Sequence, residues 1–227
     1  MHSHFIPGID DGVSTEHESL DLLKGLYHLG YKKAITTPHI FNGVYNNSYD
    51  TIIPGLDRMK AVLKQAGIKL ELEAAAEYYF DEFFLNYIKN ETLLTFGDKY
   101  VLFELPAMNK PPQVEDAVFD LILKGYKPIL AHPERYAFYN EPGMESLEKL
   151  KSMGVFFQIN ALSLVGFYSP KVQKFAQQLI KNNWIDFVGS DMHNQRYFEG
   201  FKQAIQTSYY QKLCASGSLL NNTLIEL

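Results

Sequence analysis

The sequence predicts an α/β fold whose parallel strands close into a TIM-like barrel, with the functional site at the strands' C-terminal ends. Three observations point there. Seven apolar segments of strand length alternate with amphipathic stretches of helical period, the pattern of parallel strands covered by helices. No repeat, low-complexity tract or Pro/Ser-rich linker interrupts them, so residues 1–227 read as one domain. Acidic and imidazole side chains recur at the strand ends. An open doubly wound sheet would satisfy the first two observations, but it would spread those ends along a line. A ring of strands lets them converge on one mouth.

The opening MHSH is the first strand, and alternation puts His2 and His4 on the same face. Only three residues precede His4, so this strand is expected to be short, or the chain trimmed upstream. In STEHESLDLLKGLYHLG, Thr15 and Glu18 are spaced for a capping box, Leu22, Leu23, Leu26 and Leu29 share a face, and Gly30 ends the helix. KKAITTPH is the second strand, stopped by Pro38. The loop IFNGVYNNSYD leads into a helix through Leu56, Met59 and Leu63. IKLELEAAAEYY is the third strand, FDEFFLNYIKN a short helix and KYVLFELP the fourth strand. A helix follows through Val114, Ala117, Val118, Leu121 and Ile122. YKPILAHPER is the fifth strand. GVFFQINAL is the sixth, after a helix around Leu147 and Leu150. WIDFVGSDMH is the seventh, after a helix holding Val172, Phe175, Ala176 and Leu179.

The first strand ends in His2 and His4, with Asp11 in the loop beyond; the second ends in His39, the third in Glu77 and the fourth in Glu104. The fifth ends in His132 and the seventh in Asp191 and His193, whereas the sixth ends in the uncharged Asn160. Five of the seven histidines therefore stand at strand ends, and only His17 and His28 fall on helices, where they face solvent. Randomly scattered histidines would show no such bias, so the mouth reads as a metal site. Nitrogen and oxygen donors without sulfur suit manganese, iron, magnesium or zinc, and the residues do not choose among them.

Composition narrows the function. A net charge of −5 argues against a nucleic-acid partner. The single cysteine, Cys214, excludes an internal disulfide and a thiolate cluster, and it has no C-x5-R phosphatase loop around it. No segment is apolar enough to span a membrane, and no basic-then-apolar leader opens the chain, so it reads as cytoplasmic.

In order and spacing, HSHFIPGIDDG, TTPH, AEYY, FELP, HPER and GSDMH resemble the PHP (polymerase and histidinol phosphatase) superfamily. Within it they look most like the bacterial metal-dependent protein-tyrosine phosphatases linked to capsule and exopolysaccharide synthesis. The resemblance covers nearly the whole chain and implies a distorted (β/α)7 barrel. It also implies three divalent ions, with manganese favoured. His2, His4, Glu77 and Asp191 would hold the first, Glu77 would bridge to a second completed by Glu104 and His132, and Asp11, His39 and His193 would hold the third. Arg135 of HPER corresponds to the family's phosphate-contacting arginine, and Arg196 is a looser second match. Asp191 and His193 then join the two arginines in the catalytic set. A phosphotyrosine protein, such as the tyrosine-rich tail of a bacterial kinase, is the implied partner.

The bare residues suit that chemistry. Three divalent ions bring six positive charges and Asp11, Glu77, Glu104 and Asp191 bring four negative ones, leaving two to meet a phosphate dianion. A phenolate leaving group, of parent pKa about 10, needs less help than an alkoxide. Phe41, Tyr45, Tyr49, Tyr78 and Tyr79 lie near the proposed mouth as candidate walls for a phenyl ring, and the Phe41–Tyr49 loop is a candidate lid. Asp10 is expected to support the first loop without touching metal, and Gly8 and Gly12 to supply unusual backbone angles there. Two rival readings stay open: a small-molecule phosphatase such as a histidinol phosphatase, and a metal-bearing regulatory module without turnover.

Overall fold

The computed structural model describes residues 1–140 and 143–225. Its strands are β1 (Lys33–Thr36), β2 (His39–Ile40), β3 (Glu71–Ala74), β4 (Glu77–Tyr79), β5 (Tyr100–Glu104), β6 (Lys127–Ala131), β7 (Phe156–Asn160) and β8 (Phe187–Gly189). Every ladder is parallel; β1 pairs with β3, and the other six run in the order β2-β4-β5-β6-β7-β8. The predicted second and third strands each break once, the second at Pro38, which has no N–H to donate to a ladder. The wall continues regardless, because Ala75 N–H donates to Thr36 O and Glu77 N–H to Pro38 O.

The predicted first strand contracts to a single bridge, Ser3 with Met192, because His2 leaves the extended region at φ +62°. Residues 1–4 nevertheless fill the gap between β8 and β1. On one side Asp191 N–H donates to His2 O and His4 N–H to Met192 O; on the other Thr37 N–H donates to Ser3 O. Backbone hydrogen bonds thus pass through all seven predicted staves, and the fold is a distorted TIM-like α/β barrel.

Helices α1 (Glu16–His28), α2 (Tyr49–Gln65), α3 (Glu82–Asn90), α4 (Val114–Leu123), α5 (Met144–Ser152) and α6 (Pro170–Lys181) occupy the predicted stretches. The Thr15–Glu18 capping box forms, and Gly30 takes φ +92° just past the end of α1. Two further helices, α7 (Gln195–Ala204) and α8 (Ser208–Ala215), follow the last strand. The first of them buries Phe198, Phe201 and Ala204, a spacing the sequence did contain.

Side chains alternate across each strand and so sort into two cores. Ile35, Tyr100, Leu102, Ile129, Ala131 and Phe187 fill the barrel interior. Val101, Phe103, Leu130, Phe157 and Val188 point the other way, into the layer shared with Leu23, Met59, Val118 and Leu179 of the helices. A fully buried side chain of this kind contributes about 1.5–3 kcal/mol. The polar residues at the strand ends sit above the inner core, walled in by a rigid ring.

Candidate metal centre

The side chains at the mouth converge. His2, His4, Glu77 and Asp191 form one group, His4, Asp11, His39 and His193 a second, and His39, Glu77 and Glu104 a third; within each, the donor atoms lie inside 4.8 Å of one another. His132 joins from β6, its Nε2 3.1 Å from Glu77 Oε1 and 3.8 Å from Glu104 Oε2. All nine sequence-derived ligand positions are thereby drawn to one place. Glu77 is at the centre: its carboxylate lies 3.0 Å from His2 Nε2, 3.5 Å from His4 Nε2 and 3.4 Å from His39 Nδ1.

Alternation explains several of these orientations, and the places where it fails are informative. Leu102 and Glu104 point inward together, as do Ala75 and Glu77. On β6, however, Ala131 already faces the interior, so a regular strand would turn His132 outward. His132 instead adopts φ +36°, which brings the ring back toward Glu77. Asp191 is likewise left-handed, at φ +47°. Only a few per cent of non-glycine residues take such angles, His and Asp more often than most, and they concentrate at functional sites.

Supporting groups fix the rings. His4 Nδ1–H donates to Asp10 Oδ2 at 2.8 Å, leaving Nε2 aimed at the cluster. His193 Nδ1–H donates to the Asp191 carbonyl at 2.9 Å, leaving Nε2 3.4 Å from Asp11. Asp10 also accepts from His39 N–H and Gly12 N–H, so it braces the first loop as expected and belongs to none of the donor groups. Gly8 takes φ +72°, but Gly12 is glycine for a different reason than expected. A Cβ there would lie 2.4 Å from both the Cβ and the carbonyl oxygen of His4.

Burial works against charge on His2, yet the Glu77 and Asp191 carboxylates outweigh it and push the ring up to about 10. Glu77 and Asp191 would be raised by their own burial; the surrounding imidazoles instead hold both well below the usual carboxylate range. Asp11 falls to about 2, chiefly through its hydrogen bond with His193. The residues fit divalent ions: His4 Nε2 and His39 Nδ1 are buried, face the acids and have no hydrogen-bond partner among the described residues.

The mouth cavity, about 320 Å³, is lined by Phe41, Val44, Tyr45, Arg135 and Tyr197 around the donor groups. Arg135 Nη1 lies 3.0 Å from Asp191 Oδ2, and its guanidinium rests 4.7 Å from the centre of the Tyr168 ring. Arg196 does not reach the cavity; it is exposed on α7 over the Phe167 ring. Tyr78 does not either. Its neighbour Glu77 points inward, so Tyr78 points into the outer core, where its hydroxyl accepts from Leu94 N–H. Tyr49 is 63 % exposed at the start of α2, away from the cavity lining. Tyr45 stacks on His39 (5.6 Å, 16°) and Phe41 on Tyr79 (3.8 Å, 17°).

Residues 41–45 form a pinned hairpin, with Phe41 and Tyr45 exchanging both backbone hydrogen bonds. Sequence reasoning missed Gln158, Tyr168 and Tyr197. Tyr197 stood one helical turn beyond His193 and could have been found on that ground.

The sequence model of the family described as capsular polysaccharide synthesis, CpsB/CapC, matches residues 1–208. Tyrosine-protein phosphatase YwqE of Bacillus subtilis (strain 168) is 33% identical over 196 residues, which is 86% of this chain and 76% of that protein. Tyrosine-protein phosphatase CpsB of Streptococcus agalactiae is 27% identical over 201 residues, or 86% and 82% of the two chains. A crystal structure from work on YwqE of Bacillus subtilis and CpsB of Streptococcus pneumoniae, described as metal-dependent tyrosine phosphatases, superposes with a TM-score of 0.83. Identity in that comparison is 29%, over 94% of this chain and 90% of the other.

Proposed function

The chain belongs to the CpsB/CapC family of capsular polysaccharide synthesis proteins, and from that premise we propose that it is a metal-dependent phosphatase acting on protein phosphotyrosine. The observation that carries this reading is the convergence of the three donor groups, with the buried, unpartnered His4 Nε2 and His39 Nδ1 among them, beside the Arg135 guanidinium. Three ions, manganese favoured, would be held by His2, His4, Glu77 and Asp191, by Glu77, Glu104 and His132, and by Asp11, His39 and His193. When bound, such ions would supply Lewis acidity toward a water and positive charge toward the phosphoryl oxygens.

The chain's own groups do the rest. Four carboxylates leave the loaded mouth with two positive charges, so an acidic protein still draws in a dianion. Arg135 orients the phosphate with hydrogen bonds that strengthen as charge builds on its oxygens. It leaves its contact with Asp191 Oδ2 without stranding that oxygen, because Asn160 Nδ2 already donates to it at 2.7 Å. Phe41, Tyr45 and Tyr197 present ring faces and edges to the phenyl group. Phenolate, of parent pKa about 10, needs less help in leaving than an alkoxide would. The partner is a phosphotyrosine segment of a bacterial tyrosine kinase, and the compartment is the cytoplasm. No helix among the described residues is long and apolar enough to cross a membrane.

Phosphate release from a phosphotyrosine peptide, a phosphoserine peptide and histidinol phosphate by the metal-loaded protein tests the assignment. The tyrosine peptide is expected to turn over fastest. Preference for histidinol phosphate or the serine peptide would overturn the specificity, and no turnover of any would support a binding module.

A further inference from the structure

Of the seven strands predicted from sequence, only the sixth, which is β7, ends in no acid or imidazole, yet it reaches the centre of the site. Gln158 and Asn160, two residues apart, point into the barrel together and are completely buried. Their side chains link two candidate ligands. His2 Nδ1 lies 2.6 Å from Gln158 Oε1, Gln158 Nε2 lies 2.9 Å from Asn160 Oδ1, and Asn160 Nδ2 lies 2.7 Å from Asp191 Oδ2.

The direction of this chain is forced. Ionised Asp191 can only accept, so Asn160 must present its NH2 there and its carbonyl oxygen toward Gln158. Gln158 must then donate to Asn160 and turn its own oxygen to His2. His2 in turn must carry a proton on Nδ1, which leaves Nε2 toward Glu77 and the Asp191 Oδ1 oxygen.

Two further features converge on the same strand. The three left-handed ligand residues all bond to β7: His132 N–H donates to the Gln158 carbonyl at 2.7 Å, and His2 and Asp191 are held by the amides. Gly189, in register with Asn160, leaves the amide its room; a Cβ there would lie 2.4 Å from Gln158 Nε2 and 2.9 Å from His2 Cβ.

We infer that Gln158 and Asn160 form a buried amide relay that fixes the tautomer of His2 and the rotamer of Asp191 for the metal ion they share. Both are positioning residues, and the inference rests on the reading that the mouth holds divalent ions. Two buried amides could merely satisfy each other, but here each amide also spends a bond on a ligand, and the polarity places a proton on His2 Nδ1, so that Nε2 is the nitrogen offered to a metal. Partners of this kind are worth about 10–100-fold in metal affinity.

The test strips the protein with chelator, titrates Mn2+ by calorimetry, and records the imidazole 15N signals of the Zn2+-loaded form. Wild type is expected to show His2 protonated at Nδ1. Gln158→Leu should move that signal away from its hydrogen-bonded shift and weaken one site about 10–100-fold. Gln158→Glu keeps an acceptor facing His2 but loses the donor to Asn160, so it should retain the Nδ1–H and recover only part of the loss. It also decides the matter if the leucine variant fails to fold. Wild-type Mn2+ affinity in Gln158→Leu, or a His2 proton on Nε2 in Gln158→Glu, overturns the relay. A wild-type protein that takes up no Mn2+ overturns the metal reading beneath it.

Discussion

Replacing Gly12 by alanine separates two reasons for a glycine beside a metal site. The backbone of Gly12 is not left-handed, so the substitution carries no dihedral penalty. The cost is contact: the new methyl would meet His4 Cβ and the His4 carbonyl oxygen at 2.4 Å. Ordinary contacts begin about 1 Å further out, and one of the two obstacles is backbone, so His4 must move by roughly that amount. Overpacking of this size costs about 1–3 kcal/mol of stability. A displacement of about 1 Å at a catalytic group costs on the order of 100-fold in rate. Gly8→Ala is the control. It meets nothing closer than Ser14 O at 3.9 Å but forces an alanine to φ +72°, so it should lose about 1–2 kcal/mol and leave the site intact. Thermal unfolding, Mn2+ titration and turnover of an aryl phosphate measure all three quantities. A Gly12→Ala protein within twofold of wild type in rate and metal affinity would refute the contact argument.

Three other outcomes follow from the same geometry. His2 is raised to about 10 in the folded chain from an ordinary 6.5, so its contribution is complete below pH 6.5 and is lost as pH climbs toward 10. Chelator-treated protein should therefore melt progressively lower across that window, the metal-loaded protein should melt higher and with a flatter profile, and a chelated melting point that rises through the window would contradict it. Tyr45→Ala removes the ring stacked on His39 and should raise KM for an aryl phosphate about 2–10-fold while sparing an alkyl phosphate; equal effects on both would count against the ring wall. Cys214 is exposed on α8 and lines no part of the mouth cavity, so Cys214→Ser should keep full kcat, and a large loss would reopen a cysteine-based mechanism.

The fold and the donor set were legible because both obey short-range rules. Helical and strand periods gave the staves, and chemistry-bearing residues fell where those staves stop. Alternation was available for Tyr78 too: beside an inward Glu77 it had to point outward, and its place in the core follows from that. Arg196 was read from proximity in sequence to His193, but one residue into α7 its direction is set by the helix, which turns it onto Phe167. Gln158 was illegible for another reason. An uncharged amide on a buried strand looks like any other polar residue until the side chain it faces is known, and that partner lies 156 positions away.

His132 presses the point further. Its neighbour Ala131 faces the barrel interior, so regular alternation would have sent the imidazole outward, away from Glu77. The sequence-derived ligand at this position and the sequence-derived strand were incompatible, and the backbone resolved the conflict by going left-handed. The same happens at His2, which dissolves the first strand into a bridge, and at Asp191 just past β8. Each such residue costs about 1–3 kcal/mol and persists only where its surroundings over-determine it. Hydrogen bonds supply that determination: Asp191 N–H donates to His2 O, and His132 N–H donates to the Gln158 carbonyl. The left-handed ligand residues are thus braced by backbone hydrogen bonds to β7 and to one another.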